Sequence, residues 1–485
     1  MYHSRMHYRS MVLLTLLFTG SVLAAARVPN LAEKHEAAKI VEAHRADLIA
    51  LSDEIWRYAE TALKETRSSK ALADHAEKNG FRVTRNVAGM PTAFFAEYGS
   101  GQPVIGIMGE FDALPGISQK AQPVKESFEP GAAGHGCGHN LFGAGSLGAA
   151  IAVKELIAAG KLKGTVRFFG TPAEEAVGGK IYMLRDGVMK GVDVMLAWHP
   201  ADKTRADMKS SQALVDIDVE FKGKAAHAAF DPWNGRSAVD AAEIFTHAVN
   251  LMREHIPPTA RMHYTIVRGG DVPNVIPEYA KVWIWLRDLE MTEVEGMVSR
   301  LRKIADGAAL AADVESKFNI RGGDWNMLVN TAGQRVLYRN LEWLGPLTFT
   351  AEEQAFAKSI QKATGVAEAG LNTKVEPFEE KPGPAEGGST DVGDISWNIP
   401  TINLSVTTAP AGAPWHGWSV VACGGMSIGH TGMIYASKAL AATMIDLFRR
   451  PQDIQAMRDE FTADTKHTKF RFYIPEGAPQ PPPTR

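Results

Sequence analysis

Apolar positions along this chain follow two patterns, short apolar runs and longer stretches with helical spacing. The runs with the length and composition of buried strands are 104–108, 166–170, 192–197 and 401–406. Helix-like stretches, such as 141–159 and 179–186, lie between these runs and would cover the sheet. This alternation predicts an α/β domain whose sheet is mostly parallel.

The segment from about residue 213 onwards follows a different order. Its predicted elements are a strand at 214–219, a helix over 237–255, strands at 263–268 and 280–287, and a helix over 292–311. A compact β-α-β-β-α order fits a small α+β domain inserted into the larger one. The expected organisation is a catalytic domain over 27–212 and 325–472, a satellite domain over 213–324 and a flexible tail over 473–485.

The N-terminus has the composition of an export signal. Arg5 and Arg9 precede the apolar stretch 11–23, which is followed by the alanines 24–26. A positive region, a short apolar region and small residues at a cleavage site predict a cleavable signal peptide over 1–26. We therefore expect a periplasmic or secreted protein. An uncleaved anchor is the alternative, although a bilayer needs about 20 apolar residues.

Composition and charge narrow the class of protein. The 485 residues are 45% hydrophobic and 22% charged, as in folded water-soluble proteins. The formal net charge is -3 and there is no dense Lys/Arg run, so no nucleic-acid surface is indicated. The two cysteines, Cys137 and Cys423, could pair in an oxidising compartment but are too few for a disulfide framework.

Residues with catalytic or metal-binding chemistry follow the predicted buried strands. In chain order they are Glu110 and Asp112, Glu174 and Glu175, His199, and His416, while Cys137 and His139 stand just before the helix at 141–159. Ligands of open α/β sheets bind beyond the carboxyl ends of the strands. We therefore expect all of these side chains on one rim of the sheet.

The residue types on this rim suit a divalent metal ion. A thiolate, imidazoles and a carboxylate are ligands that Zn²⁺ or Mn²⁺ accepts. Cys137 and His139 lie two residues apart in a glycine-rich loop, so both can turn to the same side. Of the neighbours Glu174 and Glu175, one can bind metal while the other takes a proton from water that the metal has acidified.

Taken singly, these signals have ordinary structural explanations. A Cys-x-His pair can be incidental, a Glu-Glu pair is usually a solvated face, and His199 could cap a loop. His430 begins an apolar helix and is interpreted as structural. Two further alternatives stay open. One is a cysteine hydrolase with Cys137 as nucleophile and His139 or His199 as base, and the other is a non-catalytic scaffold that keeps metal for structure.

The ordered motifs resemble the dinuclear amidohydrolase branch of the aminoacylase/carboxypeptidase-type metallopeptidases. They are Asp112-Ala113-Leu114-Pro115, Cys137-Gly138-His139, Glu174-Glu175, Trp198-His199-Pro200, Gly223-Lys224-Ala225-Ala226-His227, Asn274-Val275-Ile276-Pro277 and His416. The likeness covers about residues 32–449. Glu110 and Asn140 depart from it, since the hippurate-type members usually have Asp at both positions.

The resemblance implies an amidohydrolase that cleaves the amide bond of N-acyl or N-aroyl amino acids with two divalent ions, Zn²⁺ or Mn²⁺. The implied metal ligands are Cys137, His139, Glu175, His199 and His416, with Glu174 as general base and Asp112 as their support. The satellite domain would supply His227 for the scissile carbonyl oxygen and Asn274 and Arg287 for the substrate carboxylate. The implied partner is a second copy of the chain, with a different second subunit as an alternative. A dipeptidase or carboxypeptidase of the same family is the nearest alternative activity.

Overall fold

The computed structural model describes residues 30–481, so the expected signal peptide lies outside the described residues. The strands are β1 Arg82–Arg85, β2 Phe94–Ser100, β3 Val104–Glu110, β4 Gly164–Thr171, β5 Val194–Ala201, β6 Arg205–Ala206, β7 Ala213–Lys222, β8 Arg261–Gly269, β9 Tyr279–Asp288, β10 Glu315–Asp324 and β11 Thr401–Thr407. The helices are α1 Leu31–Ala43, α2 Arg45–Tyr58, α3 Thr66–Lys78, α4 His139–Ala158, α5 Gly179–Arg185, α6 Ala238–Met252, α7 Met291–Ala312, α8 Thr331–Leu344, α9 Ala351–Thr364, α10 Val392–Ser396, α11 Trp418–Gly424, α12 Ser427–Arg449 and α13 Pro451–Thr465.

The larger sheet has seven strands in the order β1-β2-β4-β3-β5-β11-β6. Its central strands β4, β3, β5 and β11 are parallel, whereas β1, β2 and β6 join antiparallel. Every residue of β3 is buried, as expected for a parallel strand with both faces covered. The predicted α/β domain with a mostly parallel sheet is therefore confirmed.

Helix α4 packs closely against the central strands because glycines line its inner face. A Cβ added to Gly143 would lie 2.8 Å from the backbone oxygen of Glu110, at the end of β3. This close approach holds the start of α4, with His139, beside the end of β3. The length and hydropathy of α4 would suffice to cross a membrane, but 78% of its apolar window is buried inside the fold.

The smaller sheet has four antiparallel strands in the order β10-β7-β9-β8. Helices α6 and α7 pack on it around a separate apolar core that includes Ile217, Phe245 and Leu301. The sheet begins at Ala213 and ends at Asp324, inside the segment assigned to the satellite domain. Strand β10 was missing from the predicted order, because few of its side chains are fully buried and its apolar alternation is weak.

The chain beyond residue 472 is more firmly held than the expected flexible tail. Tyr473 is 3% exposed and packs in the satellite core. Arg185 of α5 donates hydrogen bonds to the backbone oxygens of Pro475, at 3.2 Å, and Gly477, at 2.9 Å. Residues 473–477 are thus anchored by one buried aromatic ring and by backbone hydrogen bonds.

Candidate metal centre

The carboxyl ends of the parallel strands bring the predicted residues of the rim together. Ligand atoms of Cys137, His139 and His199 lie within 4.8 Å of one another, and so do those of Cys137, Glu175 and His416. The Sγ atom of Cys137 is 3.5 Å from Nε2 of His199 and 3.5 Å from Nε2 of His416. Cys137 therefore stands between two groups of potential ligands.

His139 and His199 present their Nε2 atoms to this cluster, and the Nδ1 atom of each is engaged elsewhere. His139 Nδ1 lies 2.9 Å from Oδ1 of Asp112, and Oδ2 of Asp112 accepts the backbone N–H of Glu175 at 2.9 Å. His199 Nδ1 donates to the backbone oxygen of Pro200 at 2.7 Å. Such partners fix the ring orientation and leave a lone pair on Nε2 for a metal ion. Asp112 thus orients both His139 and the backbone at Glu175.

Three buried polar atoms at the centre lack hydrogen-bond partners among the described residues. They are Nε2 of His139 and Oε2 of Glu110, which lie 3.0 Å from each other, and Oε1 of Glu175. Leaving a buried polar atom unsatisfied costs about 1–3 kcal/mol, so native proteins rarely do it without a reason. A cation bound among these atoms would satisfy them, and the donor set therefore fits a metal site.

Distances and charge agree with that fit. Two ligand atoms on one tetrahedral Zn²⁺ ion lie roughly 3.3–3.6 Å apart, given metal–ligand distances of about 2.0–2.3 Å. The two 3.5 Å contacts of the Cys137 sulfur fall in this range. The distance of 3.5 Å between Nε2 of His416 and Oε2 of Glu175 falls in it as well. Burial, together with the nearby negative charge of Glu175, raises the pKa of the Cys137 thiol. A cation beside the sulfur would make the thiolate the stable form.

Two backbone features shape the loops that carry these side chains. A Cβ on Gly136 would lie 2.4 Å from Cδ1 of Ile117 and 3.2 Å from Cα of His416, so only glycine lets these two loops approach. Ala173 has a φ of 62°, a left-handed conformation that is costly for a residue with a Cβ. The buried carboxyl group of Glu65 accepts the N–H of Ala173 at 3.0 Å and holds that turn, which leads into Glu174.

Glu174 lies at the inner side of the cluster, with a carboxylate oxygen within 4.8 Å of ligand atoms of Glu110 and His139. Burial raises its pKa well above the usual range, and the charges of Glu110 and Glu175 add to this effect. A carboxylate in such surroundings gains free energy by taking a proton. Uptake of a proton from water is the step that a general base performs.

The structure also reveals a buried charge network that the sequence analysis missed. The ammonium of Lys180, in α5, lies 2.6 Å from Oε1 of Glu110 and 2.6 Å from Oδ1 of Asp391. Burial alone would lower the pKa of Lys180, but Asp391 and Glu110 raise it, so the ammonium stays charged. No sequence signal marks a buried lysine, because its partners come from distant segments.

The satellite residues are not part of the cluster in this chain. His227 is exposed in the loop after β7, where its Nδ1 accepts the N–H groups of Ala229, at 3.2 Å, and Phe230, at 3.1 Å. Asn274 is exposed beside it, its backbone oxygen accepting the N–H of Ala228 at 3.0 Å. Arg287, in β9, stacks 5.0 Å above the ring of Trp285.

Two further residues have roles that follow from their contacts. His430 Nε2 lies 2.8 Å from Oδ1 of Asp53, in agreement with the structural interpretation. Cys137 and Cys423 are both free thiols, and Cys423 is fully buried in α11. The thiol of Cys137 is therefore available as a metal ligand.

A parallel α/β sheet with a Cys/His/Glu cluster at its carboxyl rim is typical of metal-dependent hydrolases. Residues 106–416 match the family described as Peptidase family M20/M25/M40, and the chain belongs to that family. It is 38% identical to a p-aminobenzoyl-glutamate hydrolase subunit of Escherichia coli (strain K12), over 91% of this chain and 97% of that protein. It is 28% identical to the Homo sapiens Xaa-Arg dipeptidase, over 90% of this chain and 94% of that protein.

The solved structures agree on the fold. The Bacillus subtilis YXEP protein, described as a dinuclear metal-binding peptidase of the M20 family, superposes with a TM-score of 0.58 at 20% identity. The match covers 84% of this chain and 99% of that one. The family and the two relatives, together with the cluster, make the protein a metal-binding hydrolase of amide bonds. Membership of this family disfavours both the cysteine hydrolase and the non-catalytic scaffold.

Proposed function

We propose that the protein uses two divalent ions, Zn²⁺ or Mn²⁺, to hydrolyse N-acyl or N-aroyl amino acids similar to p-aminobenzoyl-glutamate. The observation that carries this proposal is the convergence of five ligand-type side chains around the shared sulfur of Cys137, with Glu174 beside them. The proposed ligands are Cys137, His139, Glu175, His199 and His416.

When bound, the ions would polarise the amide carbonyl as Lewis acids and lower the pKa of water. Glu174 then takes the proton of the attacking water on its carboxylate and delivers it to the departing nitrogen. Asp112 keeps the Nδ1 atom of His139 engaged, so that Nε2 faces the centre throughout. The acidic surroundings that raise the pKa of Glu174 favour this proton transfer.

The substrate class is supported by the 38% identity to a p-aminobenzoyl-glutamate hydrolase and by two features of the chain. The ring centroid of Trp415 lies 6.1 Å from that of His199, which offers an aromatic wall for an acyl group. Within residues 30–481 the guanidinium of Arg287 has no hydrogen-bond or ion-pair partner, which suits recognition of a substrate carboxylate. Asn274 would assist Arg287 there.

The proposed partner is a second copy of the chain, joined through the satellite domain. Strand β8 is one of the two edges of the smaller sheet, and an edge strand offers free backbone groups for pairing. Apolar side chains are exposed nearby, with Ile266 50%, Val267 52% and Leu251 58% exposed. Such a dimer would let His227 of one copy serve the carbonyl oxygen at the centre of the other. A different second subunit is the alternative.

We also propose that the protein is exported, on the strength of the signal-like composition of residues 1–26. N-terminal sequencing of protein from the periplasmic fraction tests this. A mature chain that begins near residue 27 is expected, whereas an intact Met1 in the cytoplasmic fraction would contradict export.

The deciding experiment couples metal analysis of the purified protein to a substrate panel of p-aminobenzoyl-glutamate, hippurate and simple dipeptides. About two divalent ions per chain and chelator-sensitive release of a free amino acid are expected. Preference for dipeptides would favour the dipeptidase alternative, which the Xaa-Arg dipeptidase relative motivates. Full activity after complete metal removal would overturn the proposal and favour Cys137 as a nucleophile.

A further inference from the structure

Lys180 is a charged side chain with no exposure to solvent, placed directly behind the metal centre. Its relative exposure is 0%, and the carboxylates of Glu110 and Asp391 that face it are each 1% exposed. Burying a charge is costly unless it is paired and hydrogen-bonded. A group of three buried charges beside a catalytic centre therefore calls for an explanation.

Glu110 connects Lys180 to the centre through its two oxygens. Oε1 lies 2.6 Å from the Lys180 ammonium, whereas Oε2 lies 3.0 Å from Nε2 of His139. Within residues 30–481 neither of these two atoms has a hydrogen-bond partner besides this contact. Two lone pairs directed at one space are what a shared cation requires. Glu110 thus presents one oxygen to the metal-binding side of His139.

Asp391 fixes Lys180 in place from the other side. Oδ1 of Asp391 lies 2.6 Å from the ammonium, and Oδ2 accepts the backbone N–H of Lys180 at 2.9 Å. The side chain and the backbone of Lys180 are therefore held by one carboxylate. Because Lys180 cannot move, the Glu110 oxygen bonded to it cannot turn towards the metal space.

We propose that Lys180 is a positioning residue of the metal centre, which anchors one oxygen of Glu110 so that the other remains directed at the metal-binding nitrogen of His139. The inference rests on the proposed function, since it presupposes that the centre binds metal. Without Lys180, the Glu110 carboxylate would be free to rotate and to change both the strength and the geometry of metal binding.

The chain contains a matched control for the structural contribution of a buried lysine. Lys34, in α1, is 0% exposed and pairs with Asp446, in α12, at 2.8 Å. This pair joins two helices and makes no contact with the rim residues. Lys34→Met should lower the unfolding temperature as a broken buried ion pair does, and leave the metal centre unchanged.

The test compares full-length wild type with Lys180→Met, Glu110→Gln, the double variant of both, and Lys34→Met. Each is titrated with Co²⁺ alone, followed by the visible absorption of the bound ion, and with Mn²⁺ at graded free concentrations. Lys180→Met and Glu110→Gln should each weaken metal binding by about 10–100-fold, as loss of a partner that orients ligands does. Both should also alter the Co²⁺ spectrum.

The double variant decides whether Lys180 acts through Glu110. If it does, the double variant binds metal no more weakly than Glu110→Gln. If the fold-losses of metal affinity in the two single variants multiply in the double variant, Lys180 acts independently of Glu110, which would overturn the proposal. The proposal also fails if folded Lys180→Met has the affinity and spectrum of wild type, with only the unfolding temperature lowered as in Lys34→Met.

If Lys180→Met does not fold, Asp391→Asn replaces it. This variant keeps an acceptor for the Lys180 backbone N–H but loosens the hold on the ammonium. A smaller loss of metal affinity in the same direction is expected, and unchanged metal binding would refute the proposal. A wild-type protein that binds no ion would instead refute the proposed function, so the two failures are distinguishable.

Discussion

At the scale of single residues, adjacent side chains at the rim have different surroundings and therefore different chemistry. Glu175 has one oxygen 3.5 Å from Nε2 of His416 and its backbone tied to Asp112, so it is directed at the cluster. Glu174 instead lies in the group formed with Glu110 and His139. The turn at Ala173, held by Glu65, sets these two directions.

This difference predicts opposite results for two substitutions of similar size. Glu174→Gln should keep its bound metal and lose about 10²–10⁴-fold in kcat, the usual contribution of a general base. Glu175→Gln should lose metal, because an amide is a weaker ligand than a carboxylate. Metal analysis of both variants beside their kcat values checks this. Near-normal turnover in Glu174→Gln would remove that residue from the proton-transfer role.

The second prediction at this scale concerns Glu65 and pH. Burial raises the pKa of the Glu65 carboxyl from 4.5 to about 8, with the charge of Asp112 adding to the effect. A carboxyl with a raised folded-state pKa contributes stability below its unfolded pKa and loses that contribution as the pH rises through the folded pKa. Wild type should therefore lose stability relative to Glu65→Gln between about pH 4.5 and about pH 8.

The Gln side chain still accepts the N–H of Ala173, so the turn is preserved. The loss should not exceed roughly 5 kcal/mol, since each pKa unit corresponds to about 1.4 kcal/mol. Urea unfolding of both proteins across this pH range measures it. Parallel stability curves for wild type and Glu65→Gln would contradict the buried, protonated state of Glu65.

At the scale of elements, the close packing of α4 against β3 can be tested by adding one methyl group to the helix. Gly143→Ala would place a methyl group 2.8 Å from the backbone oxygen of Glu110. We expect a loss of about 1–3 kcal/mol in unfolding free energy, the usual cost of overpacking. The control is Gly307→Ala in α7, where an added Cβ meets nothing within 4 Å and should stabilise the helix by roughly 0.5–1 kcal/mol.

Thermal or urea unfolding of the two variants gives the comparison. A gain in stability from Gly143→Ala would mean that helix propensity outweighs the contact with β3. Because the contact is with backbone, the strand must move to relieve it, and Glu110 would move with it. Gly143→Ala should therefore also weaken metal binding, whereas Gly307→Ala should not.

The elements also explain how far the sequence could predict the structure. Short, mostly apolar runs identified the central strands, because a strand covered on both faces has few exposed positions. The rim residues followed from the rule that such strands end at the same edge. Strand β10 was missed because it is only partly buried, and Lys180 because the burial of a lysine depends on Asp391, 211 residues away in the chain.

At the scale of the whole molecule, His227 of the satellite domain is not part of the metal-binding cluster of its own chain. The proposed dimer unites them, and it predicts that Ile266→Lys, on β8, yields a monomer with strongly reduced kcat. The control is Leu310→Lys, on α7 of the same domain, where the leucine is 84% exposed. Light scattering on both variants gives the mass, and a wild-type protein that is already monomeric would contradict the dimer.

The discontinuous catalytic domain has a consequence for the order in which the molecule assembles. Strand β11 pairs with β5, joining Thr401 to Met195 across the whole satellite domain, and His416 follows β11. Contacts between such distant segments form late and slowly, because the intervening chain must first be closed into a loop. During synthesis, Cys137, His139, Glu175 and His199 all leave the ribosome long before His416 does. Until His416 has emerged, the nascent chain therefore carries only four of the five proposed ligands, so binding of the full proposed set of ions would have to follow the synthesis of β11 and His416.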